Sequence, residues 1–186
     1  SKQGARNRQL AALVSSSKTH FEKGAQYHQV QASKLPVQAS NKAAPRAPSR
    51  GDLTAIANTQ RQAEQHKRYA EQSSNNAQND LKKAEALFKE AKAVSNFSRD
   101  IPIATAESSR NKVAWYAASA KAKINDIQGY INRIAASYKS AEGKYEAEQK
   151  RLAEEAARRE RERQQREQQG GGGGSGNNSG GGGNPG

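Results

Sequence analysis

Histidine and carboxylate side chains are the residues of this sequence that could act in catalysis or bind a metal. Their spacing does not predict a catalytic or metal-binding site. The chain has three histidines and no cysteine. His20 and His28 lie in a basic stretch without a third ligand at helical spacing, whereas zinc takes three or four ligands. The carboxylates are dispersed along polar helix positions rather than paired. We therefore expect a protein that is not an enzyme, without a metal or cofactor.

Glycine is concentrated at residues 170–186, where a phosphate-binding loop would be one chemical interpretation. The stretch contains no GxxxxGK[ST] pattern and does not follow a predicted strand, so the context of a nucleotide site is missing. Its composition is typical of flexible coil. We predict a flexible, glycine-rich tail.

Cationic side chains are the strongest chemical signal. The net charge is +13, and residues 1–51 hold nine Lys and Arg against one Glu. Such spacing suits sequence-independent contact with a polyanion, or docking on an acidic protein surface, and the sequence does not separate the two. The predicted contact residues are Lys2, Arg6, Arg8, Lys18, Lys23, Lys34, Lys42, Arg46 and Arg50.

These residues precede two long helical patterns. Two prolines, Pro45 and Pro48, end the first segment, which we predict to be an extended or partly helical basic arm with a linker over residues 1–51. From Asp52, a good N-cap residue, one heptad seam predicts a helix over 52–96. The seam consists of Ile56, Ala63, Ala70, Ala77, Ala84 and Ala91.

A second seam follows a predicted turn at 97–104, where Pro102 interrupts the periodicity. Its two heptad positions predict a helix over 105–169, including a charged extension beyond Glu148. One position holds Ala117, Ile124, Ile131, Tyr138, Tyr145 and Leu152, and the other holds Val113, Ala120, Ile127, Ile134 and Ala141.

The expected fold is all-α: an elongated antiparallel helical hairpin or coiled coil with a basic N-terminal arm and a disordered C-terminal tail. The two seam-bearing stretches, about 52–96 and about 105–148, have nearly equal length and a short connection, which favours antiparallel packing. With 33% hydrophobic residues, the chain cannot fill a thick core. No stretch approaches the ~20 apolar residues of a membrane span.

A two-helix hairpin covers its apolar seam only in part, so we expect the second seam to form an oligomer or partner interface. Trp115 and Tyr116 could present an aromatic docking patch, although aromatic side chains can also stack on bases. The predicted interface residues are Val113, Trp115, Tyr116, Ala117, Ile124, Ile127, Ile131, Ile134, Tyr138, Tyr145 and Leu152.

Two functions follow from this reading. The first is a structural component of a large multi-subunit assembly, with other subunits and copies of itself as partners. The second is a sequence-independent nucleic-acid-binding protein that uses the basic arm and the Arg-rich helix on DNA or RNA. We expect a soluble chain within a large assembly, such as a virion or a cytoplasmic complex, and the sequence does not determine the compartment.

The combination of a basic arm, an Ala- and Gln-rich helical hairpin without methionine, and a Gly/Asn tail resembles two classes of protein. One comprises the internal, channel-lining or connector proteins of tailed-phage particles. The other comprises cytoskeletal or scaffold adaptors. The resemblance implies a structural role and identifies no binding or catalytic residue.

Overall fold

The computed structural model describes residues 2–95 and 102–183, with side chains described up to Gly170 except at Ser95 and Pro102. It consists of α1 (Lys2–Thr19), a π-helix (His20–Ala25), α2 (Gln26–Ser33), α3 (Leu35–Ala43), α4 (Arg50–Ser95) and α5 (Pro102–Gly183). No strand occurs in these ranges, which confirms the all-α prediction. Most of the predicted turn at 97–104 lies outside the described residues.

Helix α4 begins with a capping box rather than at Asp52. Ser49 Oγ accepts a hydrogen bond from the Asp52 backbone N–H at 3.0 Å, and the Asp52 carboxylate accepts one from the Ser49 N–H at 2.9 Å. The helix starts at Arg50, so Ser49 is the N-cap and Asp52 the third helical residue. The hydrogen bond from the Ser49 N–H, followed by one from the Ser49 side chain, lowers the pKa of the Asp52 carboxyl. The predicted N-cap, Asp52, is therefore three residues too late, and the predicted helix start is two residues too late.

The predicted seam of α4 is confirmed. All six residues of the seam, from Ile56 to Ala91, are fully buried. Alanine contributes little volume, so neighbouring backbones can approach closely on both sides of this seam. Helix α4 therefore has room for two partner helices.

Two units divide the chain: residues 1–141 and residues 142–186. Within unit 1, the first part of α5 packs antiparallel to α4. Gln78 donates a hydrogen bond to the Ala117 carbonyl at 3.1 Å, and Lys67 Nζ donates one to Gln128 Oε1 at 2.7 Å.

The N-terminal segment, residues 2–43, is a third packed layer and not an extended arm. It runs antiparallel to α4, because Arg6 pairs with Glu90 while Ser16, farther along, donates a hydrogen bond to Asp80 at 2.7 Å. Its inner face is buried at Leu10, Ser17, Phe21, Gly24, Ala25, Ala32, Leu35, Ala39 and Ala43. The predicted two-helix hairpin is thus replaced in unit 1 by three helical layers.

The π-helix adjusts the register of this third layer. Phe21, Gly24 and Ala25 are all buried within its six residues. A π-helical turn widens the spacing of inward-facing positions relative to an α-helix. The π-helical turn therefore lets Phe21 and the two small residues Gly24 and Ala25 face the core together.

Unit 2 contains the remainder of α5. Its backbone is helical through Gly183, including most of the stretch predicted to be a flexible tail. Glycine disfavours a helix by ~1 kcal/mol per residue relative to alanine. The glycine-rich end is therefore the part of α5 with the weakest intrinsic helix preference.

Candidate functional site

The predicted interface residues of unit 1 are mostly used within the chain. Val113, Ala117, Ile127 and Ile134 are fully buried, and Ile131 is nearly so. Tyr116, Ile124 and Tyr138 are half-buried and pack against the core. We expected the seam of α5 to need another subunit for its burial. That expectation is wrong for these residues, because they are buried or half-buried within the single chain.

The N-terminal segment supplies the missing cover. Phe21 lies edge-on to Trp115, with ring centroids 5.6 Å apart, and contacts Tyr116 at 6.0 Å. Gln29 donates a hydrogen bond to the Tyr130 hydroxyl at 2.7 Å. The sequence signal was weak because most buried positions of this segment are small residues, such as Ser17 and Ala32, that look like solvent-exposed helix residues.

Other predicted interface residues remain accessible. Trp115 is 59% exposed, although its ring touches Phe21. In unit 2, Tyr145 is half-buried, while Leu152 is exposed, and neither belongs to a described core cluster. A partner interface at Trp115 or Leu152 stays a prediction.

The predicted polyanion contacts are, with one exception, on the surface. Arg6 is half-buried and bonded to Glu90 at 3.3 Å. The eight exposed members are Lys2, Arg8, Lys18, Lys23, Lys34, Lys42, Arg46 and Arg50. Six of them lie on or between the helices that pack against α4, while Arg46 lies in the connection after α3 and Arg50 begins α4, so their backbone belongs to the packed layer and not to a free arm.

The charge of the chain is divided unequally between the two units. Unit 1 has 23 Lys and Arg against ten Asp and Glu, which gives the entire +13, whereas unit 2 has eight against eight. Within unit 1, residues 23–70 and 116–141 hold twelve cations against three carboxylates. These ranges pack together through Gln29, Lys67, Gln128 and Tyr130, so one end of unit 1 is strongly basic.

Arginines of unit 2 form ion pairs with glutamates one helical turn away. Arg151 bonds Glu148 and Glu155, and Arg163 bonds Glu160 and Glu167, all at helical spacings of three or four residues. Such pairs support an exposed helix by a few tenths of a kcal/mol each. The charge of the Arg-rich helix is therefore paired and balanced within unit 2.

A histidine cluster joins α2 to α4, and sequence analysis missed it. The Nδ1 atoms of His28 and His66 lie 2.9 Å apart, and the His28 ring stacks on Tyr69 with centroids 5.0 Å apart. Burial lowers the pKa of both histidines, and His66 lowers that of His28 further. One neutral ring donates to the other, so the pair links the two helices.

His20 also faces α4, with Nε2 at 3.8 Å from Asp80. Asp80 accepts the hydrogen bond from Ser16 as well, so one buried carboxylate contacts both α1 and the π-helix. No group of three or more metal-ligating side chains occurs among the described residues. The histidines therefore have a clear role in packing between helices.

The described part of the chain holds no helix that is long and apolar enough to cross a membrane. Comparison with known proteins finds no relative: no family model, no curated protein and no solved structure matches this chain.

Proposed function

We propose that this protein is a non-enzymatic structural component of a multi-subunit assembly. Unit 1 acts as a helical docking module, and the ion-paired helix of unit 2 acts as a spacer. The observation that best supports this proposal is the distribution of charge. All of the net charge of +13 lies in unit 1, while the charges of unit 2 are balanced. A surface with excess charge attracts an oppositely charged partner, whereas a balanced helix is attracted far less.

The packing of unit 1 supports this role. The inner faces of three layers are covered within the chain, so the module needs no partner to bury Ile127 or Ile134. Its exposed cations remain for contact with another molecule. Docking through fixed surface residues of a folded module costs less ordering entropy than docking through a flexible arm.

The proposal is tested by isolating the tagged full-length chain from its source cells and measuring its sedimentation and stoichiometry. We expect a fixed ratio to other protein subunits in a large particle. The variant Lys23→Glu/Lys34→Glu should no longer co-sediment with the particle. Its circular dichroism should equal that of the wild type, because the two substituted residues are exposed. A wild-type chain that sediments alone at physiological salt would contradict the proposal.

Nucleic-acid binding is a second candidate, favoured by the basic end of unit 1. Twelve cations stand there against three carboxylates. Each phosphate contact that is lost reduces the slope of log K against log salt by roughly one. The slope therefore reports which residues face the polyanion.

Binding to random-sequence DNA and RNA measures this directly. Lys42→Ala/Arg46→Ala should reduce the salt slope by about two if this surface binds phosphates. Arg158→Ala/Arg159→Ala is the matched control in unit 2, where each arginine has a carboxylate partner. Equal slopes for all three proteins would exclude this surface as the nucleic-acid site.

A further inference from the structure

A second helical row runs along the outer face of the N-terminal segment, opposite its buried face. Its members recur at alternating intervals of four and three residues, as in a coiled-coil seam. The apolar members are exposed: Tyr27 by 50%, Val30 by 43% and Val37 by 60%. The complete row, called the outer row below, is Lys23, Tyr27, Val30, Lys34, Val37 and Asn41.

The outer row is continuous across the junction of α2 and α3. Lys34, which joins the two helices, has helical angles of φ −82° and ψ −15°. On the opposite face, Ala32, Leu35 and Ala39 are buried against the rest of unit 1. The backbone that carries the outer row is thus fixed, because the opposite face of α2 and α3 packs against the core of unit 1.

Tyr27 is held by its neighbours. Its ring lies edge-on to His28 at 5.1 Å, and His28 in turn stacks on Tyr69 of α4. Aromatic anchors whose position is already fixed lose little conformational freedom on binding. Tyr27 is therefore preorganised for a contact.

The charge along the outer row identifies the chemistry of its partner. Residues 23–51 contain five Lys and Arg and no carboxylate. A second copy packed through the same row would bring together two surfaces with the same excess of cations and no carboxylate in this range, which is unfavourable. We propose that the outer row docks an amphipathic helix of another protein, with apolar residues on one face and Asp or Glu along its edges.

A nucleic acid would use only part of this surface. Phosphates would pair with Lys23 and Lys34, but the exposed side chains of Val30 and Val37 would gain no matching contact. An amphipathic helix covers both kinds of side chain, as in helix-in-groove recognition. The outer row spans ~27 Å at ~1.5 Å of rise per residue, which corresponds to about five turns of a partner helix.

This inference rests on the proposed docking function and names its partner class. The test uses the full-length protein and a synthetic 21-residue helical peptide with leucine at its heptad core positions and glutamate flanking them, below its self-association concentration. Binding is measured by fluorescence anisotropy at physiological salt. A peptide with lysine in place of every glutamate, and a random-sequence DNA duplex, are the competing probes.

We expect saturable binding of the glutamate peptide and none of the lysine peptide. Val30→Asp/Val37→Asp and Lys23→Glu/Lys34→Glu should each weaken binding by about tenfold or more, since the first removes two of the three apolar contacts and the second removes both cations of the row. The matched control is Val94→Asp in α4, an exposed valine outside the outer row, which should bind as wild type. Circular dichroism checks that every variant is folded.

No binding of the glutamate peptide, or equal binding by Val30→Asp/Val37→Asp, would overturn the inference. Binding of the DNA duplex that depends on the lysines and not on the valines would also overturn it. In each case, a chain that still co-sediments stoichiometrically in its particle would leave the proposed structural function standing. If the protein neither binds the glutamate peptide nor co-sediments in a particle, both the inference and the proposed structural function are wrong.

Discussion

Gly24 is the residue at which the N-terminal segment approaches α4 most tightly. A Cβ atom added there would lie 2.5 Å from the Cβ of Ser73, closer than two carbons can pack, and would also overlap Ser73 Oγ. Glycine at this buried position therefore permits the contact between the π-helix and α4. The small side chain of Ser73 is the complementary half of that contact.

Gly24→Ala should destabilise unit 1 by about 1–3 kcal/mol, the usual cost of overpacking. In the background of Ser73→Gly, which removes both clashing atoms, the same substitution should cost almost nothing. Urea unfolding of the four proteins gives this double-mutant cycle. Gly129→Ala is the matched control within unit 1: nothing surrounds that glycine, so alanine should stabilise the helix by up to ~1 kcal/mol.

His28 and His66 give the stability a pH dependence of known sign. The folded protein holds both pKa values below the ordinary 6.5 of histidine, so it binds fewer protons than the unfolded chain at mildly acidic pH. The stability is fully present above about pH 6.5 and is lost as the pH falls through the lowered pKa values.

We expect a lower urea midpoint at about pH 5.5 than at about pH 7.5. The double variant His28→Asn/His66→Asn should show a smaller difference between the two, whereas His20→Asn, outside the pair, should retain it. A wild-type midpoint that does not change over this range would refute the assignment of the neutral pair.

Residue spacing predicted the buried seams better than it predicted their partners. The alanine seam of α4 and the seam of α5 from Val113 to Ala141 follow a heptad repeat of apolar residues, which is directly visible in the sequence. The His28 and His66 contact joins residues 38 positions apart. No local pattern encodes such a pairing, because it depends on how two helices are placed side by side.

At the level of elements, the start of α4 depends on Ser49. Its hydroxyl satisfies one backbone donor of the first helical turn, and Asp52 returns a hydrogen bond to the Ser49 N–H. Sequence analysis found the acidic residue but not the serine three positions earlier. The reason is that Asp52 is a good N-cap residue by type, while its actual role depends on backbone geometry.

Ser49→Ala should lower the free energy of unfolding by about 1 kcal/mol, because an unpaired backbone N–H remains at the helix start. Thermal and urea unfolding measure the difference. Ser15→Ala, at an exposed site within α1, is the control and should have almost no effect. A similar loss in both variants would show that serine at position 49 does not cap the helix.

The N-terminal segment is the element that the sequence predicted least well. Its helices lack a recognisable apolar stripe, since Ser17, Gly24, Ala25 and Ala32 occupy inward positions. Small residues are selected there by close packing, not by hydrophobicity. A pattern search based on large apolar residues therefore identifies a marginal helix where the structure has a packed layer.

For the whole molecule, the two units differ in what stabilises them. Unit 1 has a buried core, whereas the described side chains of unit 2 are mostly exposed and linked by neighbouring ion pairs. Exposed ion pairs contribute little individually and are screened by salt. The cooperative stability of the protein should accordingly reside in unit 1.

The role of the N-terminal segment in that core gives the most decisive prediction. Were it a free arm, deletion of residues 1–44 would leave the helicity near that of the full chain. Because its buried residues belong to the same core as Ile127 and Ile134, its removal exposes part of that core, where burial of a large apolar side chain contributes about 1.5–3 kcal/mol. The total stability of a domain is only about 5–15 kcal/mol, so this loss is large enough to unfold unit 1.

We therefore expect the truncated protein to lose its cooperative urea transition and much of its helical circular dichroism, or to recover burial by associating with other copies in sedimentation experiments. Deletion of residues 171–186 is the control, and it should leave the transition of unit 1 unchanged because the core of unit 1 ends at Ala141. A truncated chain that remained a monomer with a full-length unfolding midpoint would show that α4 and α5 suffice, and that the N-terminal segment is an attachment to a two-helix core. The comparison thus decides between three packed layers and a hairpin with an arm by a measurement that involves no partner.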